Sequence, residues 1–254
     1  MYKKVLKNFL GIAFLGIIFL NTNTVFASVD ISKMKKTENE NILYDIEEDE
    51  YYDLSKNGYI DKIYKVEDGM VVDEISVEEY LASELILEEE TMNKPSTNME
   101  LNPLFKNRII TPYNTYYYAY RESSNTKIKR TGGRASIIQR NYGPGSDTLS
   151  IAYSYTEGMS WNATLSSEKF NVIKGSVSYT FTSTATISSS SMMTIAEGYM
   201  GWWHFEPYVR KTQGTLYRYF DYYLVDSESI TGYYPAKMGN ALDGVLTSIK
   251  APLN

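Results

Sequence analysis

The chain has 254 residues, of which 43% are hydrophobic, 14% aromatic and 22% charged, with a formal net charge of −6, one histidine and no cysteine. That length supports one large domain or two small ones around a substantial core. A chain without cysteine has no disulfides, zinc-thiolate or Fe–S centres, thiol nucleophile or lipid-bearing cysteine, and a lone His204 argues against histidine-based metal sites and triads. No metal and no cofactor is expected. The 24 tyrosines, set against 9 phenylalanines, point to half-exposed aromatic strands.

Lys3, Lys4 and Lys7 precede an unbroken apolar run of 12 residues, Phe9–Leu20, and Val25-Phe26-Ala27 follows. A basic start, a short apolar run and a small residue at the end form a secretory signal peptide, residues 1–27, with cleavage after Ala27. The run is shorter than the roughly 20 residues of a membrane-spanning helix. The sequence therefore predicts a secreted, extracellular protein, and an exported chain without cysteine suits Gram-positive secretion.

Charge divides what remains. Residues 28–100 hold 21 Asp and Glu against 7 Lys, whereas residues 101–254 hold 15 Lys and Arg against 10 Asp and Glu. An acidic leader followed by a basic domain is the clearest organisational signal. Within the leader, Glu38–Asp53 is acidic and aperiodic and reads as an arm outside the fold. Ile60–Val66 and Met70–Ile75 flank Asp68-Gly69, a hairpin signal. Ser76 with Glu79 forms a capping box, and Val77, Tyr80, Leu81 and Leu85 give the helix an apolar stripe that ends near Thr91. Lys94–Asn98 reads as a linker. The leader is then a small α+β unit, hairpin plus helix, and either a propeptide-like segment or an ordinary subdomain.

From Tyr113 onward, alternation replaces helical periodicity. The predicted strands are Tyr113–Glu122, Ala135–Asn141, Leu149–Thr156, Met159–Ser166, Ser176–Ser188, Tyr208–Lys211 and Thr215–Leu224, separated by glycine-bearing turns that include Gln213-Gly214. The chain is thus expected to be mainly β, with an antiparallel β-sandwich or elongated β domain over residues 101–254. Across Ser176–Ser188 every even position carries a hydroxyl, while Val177, Tyr179, Phe181, Ala185 and Ile187 hold odd positions. Period-two alternation makes this one polar and one largely apolar face on a strand of roughly 43 Å. Val177, Tyr179 and Phe181 against Ser178, Thr180 and Thr182 form a candidate membrane hairpin strand, with Leu149–Ser166 as its partner. A membrane-crossing strand needs about 9–11 residues. The competing reading is the solvent face of a soluble sandwich.

The run Tyr142-Gly143-Pro144-Gly145, followed by Ser/Thr-alternating strands that end in Ser188–Ser191, resembles a group of secreted Gram-positive proteins of uncharacterised function. More remotely, the hydroxyl-rich strand pair is similar to aerolysin-type β-pore-forming proteins. That resemblance implies hairpins that insert into membranes and, in some members, release by removal of a propeptide. The sequence departs from the aerolysin-type pattern at Thr194–Gly198 (TIAEG), where a Pro-Pro-Gly-like turn would follow the stem. No individual site residue carries over.

Arg121, Lys127, Lys129, Arg130, Arg134 and Arg140 share 20 residues with a single acid, Glu122, and lie among Tyr116, Tyr117, Tyr118, Tyr120 and Tyr142. Cations beside amphipathic aromatics suit an anionic surface, a lipid headgroup or a cell-envelope polymer. The alternative is a charged strand pair that balances the acidic leader. No nucleic-acid motif is present. Trp202, Trp203 and Tyr208 belong to the densest aromatic cluster, and form either an exposed tip or core. Enzyme signatures are thin. Ser166–Lys169 matches S-x-x-K at an expected strand end, and Glu197 with Glu206 is a formal carboxylate pair. The expectation is a secreted, non-enzymatic β protein that engages a membrane or cell-envelope surface, with hairpin insertion and oligomerisation as its elaborations. A soluble extracellular binding or matrix module is the alternative, and a secreted hydrolase the distant one.

Overall fold

A computed structural model describes residues 29–82, 115–179, 182–236 and 241–253. The signal peptide with Ala27, the Lys94–Asn98 linker, and Thr180 and Phe181 lie outside the described residues.

The protein is mainly β and antiparallel. A short 3-10 turn, Ile31–Lys33, leads to β1 (Lys35–Lys36), β2 (Ile42–Asp45), β3 (Glu50–Asp53), β4 (Gly58–Glu67) and β5 (Met70–Ile75). Asp68 (φ 47°) and Gly69 (φ 73°) close the β4–β5 hairpin. Two successive positive φ angles are what a two-residue turn between twisted strands requires, so the Asp-Gly signal is realised. Helix α1 begins at residue 77, where the Ser76 hydroxyl accepts the Glu79 N–H at 3.1 Å; it is described through 82. The expected arm at Glu38–Asp53 is instead the β2–β3 hairpin, with Ile42 and Tyr52 buried at the end away from its acidic turn.

β6 (Tyr116–Lys129), β7 (Gly133–Arg134), β8 (Gln139–Arg140) and β9 (Asp147–Gly158) follow, then β10 (Ser160–Trp161), helix α2 (Ser167–Ser176) and β11 (Thr184–Ile195). β12 (Tyr199–Phe220), β13 (Tyr223–Pro235) and β14 (Gly244–Pro252) complete the chain. Three expectations change here. Ser176–Ser188 is not one strand: α2 occupies its approach, Val177 caps α2, and β11 starts only at Thr184. Met159–Ser166 keeps only two strand residues because Ser166 caps α2, its hydroxyl accepting the Lys169 N–H at 3.3 Å. Tyr208–Lys211 and Thr215–Leu224 are not separate strands, since β12 runs unbroken through Gln213-Gly214. Gly214 serves a close approach there, because a Cβ on it would meet the Tyr120 ring at 2.6 Å.

β12 is the spine. Its first half, Tyr199–Pro207, pairs with β14 on one side and with β7 and β8 on the other; its second half pairs with β6 and β13. β14 in turn pairs with β4, so the strands of the acidic segment extend the same sheet. Among the described residues, β9 and β11 pair as strands only with each other, over 12 residues, and lie across the sheet as a separate ribbon. Trp203 and Phe205 pack beneath the ribbon with Ile151, Tyr153, Ile187, Met193 and Ile195. The opposite face of β12 presents Met200, Trp202 and Tyr208 to Ile42, Ile60 and Tyr80. With both faces covered, 200–205 reads as a nearly continuous apolar run. A third cluster seats α2 on β6, β12 and β13 through Ile173, Tyr120, Leu216 and Ile230.

Candidate functional site

Two surfaces stand out: an aromatic end that was not expected, and a hydroxyl-faced ribbon that shares one strand, Leu149–Thr156, with the expected hairpin. The proposed aromatic tip is core: Trp202, Trp203 and Tyr208 are 4%, 0% and 9% exposed. The exposed aromatic end lies instead at the β12–β13 turn. There Tyr116, Tyr222, Tyr223, Leu224 and Val225 are 49%, 67%, 79%, 55% and 52% exposed. Asp221 turns the chain with φ 53°, and its backbone N–H donates to the Thr115 carbonyl at 3.2 Å, tying the start of β6 to the turn. Behind the turn, Tyr116 meets Phe220 at 4.8 Å between ring centroids, Tyr117 stacks on Tyr219 at 5.2 Å, and Arg218 lies 4.2 Å from the Tyr116 ring. Such cross-strand aromatic pairs stiffen a hairpin end that would otherwise fray. The patch went unread in the sequence because Tyr222–Val225 interrupts alternation at a bulge between Arg218 and Tyr219 and resembles core.

The second surface is the outer face of the β9–β11 ribbon. Thr148, Ser150, Ser154 and Thr156 stand opposite Thr194, Met192, Ser188 and Thr186. The Thr156 and Thr186 hydroxyls are 2.9 Å apart and those of Thr148 and Thr194 are 3.0 Å apart. Between Thr148 and Thr156, and throughout β11, no side chain is charged. The hydroxyl alternation expected over Leu149–Thr156 is present in β9, but its partner is Thr184–Ile195. Of the candidate hairpin residues, Val177 packs against the α2 cluster, and Ser178 and Tyr179 lie in the connector between α2 and β11, as does Thr182. That connector is pinned. The Ser178 N–H donates to Glu122 Oε2 at 2.9 Å, the Ser178 hydroxyl donates to the same oxygen, and Arg210 sits 3.6 Å from the Tyr179 ring. Glu122 also accepts from the Thr212 hydroxyl at 2.7 Å and from Asn125 at 2.6 Å.

The basic run is dispersed rather than gathered on one surface. Lys129 reaches the Glu206 carboxylate at 3.8 Å and lies 3.7 Å from the Tyr80 ring. Lys127 faces Asp243 at 3.8 Å and the Tyr208 ring at 4.4 Å, and burial lowers its pKa. Arg130 pairs with Glu157 at 2.8 Å. Arg121, Arg134 and Arg140 remain exposed. Alternation along β6 turns Lys127 and Lys129 toward counter-charges, because a lysine facing an interior is costly unless paired.

The densest set of ionisable groups is a buried cluster where the acidic segment meets the spine. Lys56 Nζ lies 2.6 Å from Asp53 and 3.4 Å from Glu206, and the Tyr80 hydroxyl donates to Glu206 at 2.7 Å. Burial alone would raise the Glu206 carboxyl, but Lys56 and Lys129 outweigh it and hold the group below the ordinary carboxylate range. Burial would likewise depress Lys56, but Glu206 and Asp53 outweigh it and raise its pKa. Burial, with Lys56 adding to it, brings His204 down to about 4.

The formal enzyme matches separate in space. Glu206 is spent on this cluster, whereas Glu197 accepts the Gly145 N–H at 3.1 Å beyond the far end of the first half of β12. Seven residues of strand at about 3.3 Å each lie between them, well beyond the roughly 5–9.5 Å of glycosidase carboxylate pairs. Lys169 pairs with Glu228 at 2.8 Å and does not turn toward the Ser166 hydroxyl. Among the described residues, no three His, Asp or Glu side chains converge as metal ligands, and no helix is long and apolar enough to cross a membrane.

No protein-family model, curated protein or solved structure matches the chain.

Proposed function

We propose that this is a secreted, non-enzymatic protein that docks on a lipid membrane through the end of its β12–β13 hairpin. The observation that carries the reading is the contiguous exposure of Tyr222, Tyr223, Leu224 and Val225 at the β12–β13 hairpin end. Tyrosines favour the headgroup level of a bilayer, and aliphatic side chains beside them gain by reaching the acyl boundary. A glycan would use the aromatic faces but leave Leu224 and Val225 in water. Membrane insertion by a hairpin is the finer form of this reading. It draws on the β9–β11 ribbon, in which Thr148–Thr156 and all of β11 are free of charge and carry a hydroxyl-rich outer face. Both uncharged stretches reach the roughly 9–11 residues of a membrane-crossing strand.

The test is co-sedimentation with phosphatidylcholine vesicles and with vesicles containing phosphatidylglycerol, alongside dye release. The protein is expected to sediment with vesicles, and the double variant Tyr223→Ser/Leu224→Ser to bind at least tenfold more weakly, about 1.4 kcal/mol. Failure to sediment with either vesicle overturns docking. Binding without dye release overturns insertion and leaves docking standing.

A further inference from the structure

Among the described residues, β11 has a free strand edge unlike the others. Edge strands invite pairing with other chains, and proteins blunt them with charges, bulges or brevity. The remaining edges follow that rule. β1 is two lysines, β5 carries Asp73 and Glu74, and β13 carries Asp226 and Glu228. β6 carries Arg121 and Lys127, and its pairing with β12 is broken by an irregularity beside Gln213. β11, TATISSSSMMTI, has no charge, no proline and no glycine over 12 residues. Its only strand partner among the described residues is β9.

The other edge of the ribbon is already engaged. The Ser154 N–H of β9 donates to the Ala135 carbonyl at 2.8 Å, and Arg130 pairs with Glu157 across the end of β9. The ribbon therefore has one adhesive side. We propose that two copies of the chain join β11 to β11, antiparallel, in a closed twofold dimer with a four-stranded hydroxyl-faced layer. The alternation of β11 restricts the register. Hydroxyl positions stay on one face only if even residues meet even residues, and a register centred on Ser189 places Thr184 opposite Thr194 and Ser188 opposite Ser190. Thr and Ser pairs across strands are favourable, and an uncharged edge meets its copy without like-charge repulsion. Self-pairing of the charged edges would set like charge against like. An isologous contact uses the same patch on both copies and closes, so growth stops at two.

This inference concerns the protein in water and does not depend on vesicle binding. Sedimentation equilibrium of the full chain, without lipid, is expected to give twice the monomer mass. Because the chain has no cysteine, a single Ser189→Cys variant crosslinks only to another copy. Mild oxidation should convert it to a disulfide dimer, whereas Ser154→Cys on β9 stays uncrosslinked. The variant Ser188→Lys/Ser190→Lys, folded by circular dichroism, should sediment as a monomer. A wild-type chain that remains monomeric at every concentration, with no more crosslinking at Ser189 than at Ser154, overturns the proposal. Species growing beyond the dimer overturn it too.

Discussion

Glu206 shows how much one residue can hold together. Its carboxylate receives Tyr80 from α1, Lys56 from the β3–β4 turn and Lys129 from β6, and so joins three elements at one point. Removing one member of a buried ion cluster leaves its partners charged and poorly solvated, which costs roughly 3–5 kcal/mol. Glu206→Ala is therefore expected to lower unfolding free energy by about 3 kcal/mol or more, measured by denaturant titration. His204 contributes a pH dependence. Its native pKa of about 4 lies below its ordinary 6.5, so the unfolded chain takes up a proton first as pH falls. Stability from this group is complete above pH 6.5 and is lost as pH falls toward about 4, by roughly 3 kcal/mol at most. Glu206 and Asp53, both held low, act in the same direction at still lower pH. His204→Phe should flatten the stability profile between about pH 6.5 and pH 4 and leave the loss at lower pH in place.

At the scale of elements, the connector between β9 and β11 depends on a few fitted contacts. Gly232 on β13 lies under the Trp161 ring, where an added Cβ would come within 2.0 Å of a ring carbon. Gly232→Ala must push Trp161 aside and with it β10 and the start of α2. Glu122→Ala removes the acceptor that holds Ser178, and leaves the Thr212 and Asn125 side chains only their contacts with the Tyr120 and Tyr234 hydroxyls. Both variants should open the connector before the spine unfolds, so limited proteolysis is expected to cut within residues 160–183 faster than in the wild-type chain. Equal cutting rates would show that α2 packing alone retains it. The Asp-Gly turn and the Ser76 cap were legible because each is a local signal with a local cause. α2 was not, although Ser166 has cap chemistry, because its sequence SEKFNVIKGS has only a weak apolar stripe and draws its stability from Tyr120, Leu216 and Ile230.

Across the whole molecule, β12 couples everything. Its first half carries β14 and, through β14, the strands of the acidic segment; its second half carries β6 and β13. Clusters on both faces of the sheet combine residues from either side of residue 100, as with Val66 beside Phe205 and Ile42 beside Trp202. A spine shared in this way predicts a single cooperative transition, with calorimetric and van't Hoff enthalpies in agreement. Two resolved transitions, one assignable to residues 29–82, would mean that the β4–β14 pairing is thermodynamically loose.

The sequence by itself determined the β character, the β4–β5 hairpin, the start of α1 and the hydroxyl face of β9, because period, turn chemistry and capping act between residues close in the chain. It could not determine whether Trp202 and Trp203 are buried, since a strand covered on both faces loses the alternation that marks its orientation. Nor could it assign Lys127 and Lys129 to counter-charges, or reveal that Tyr222–Val225 stands in water while a similar run at 200–205 is core. Those outcomes rest on contacts between segments far apart in sequence, and only the tertiary structure decided them.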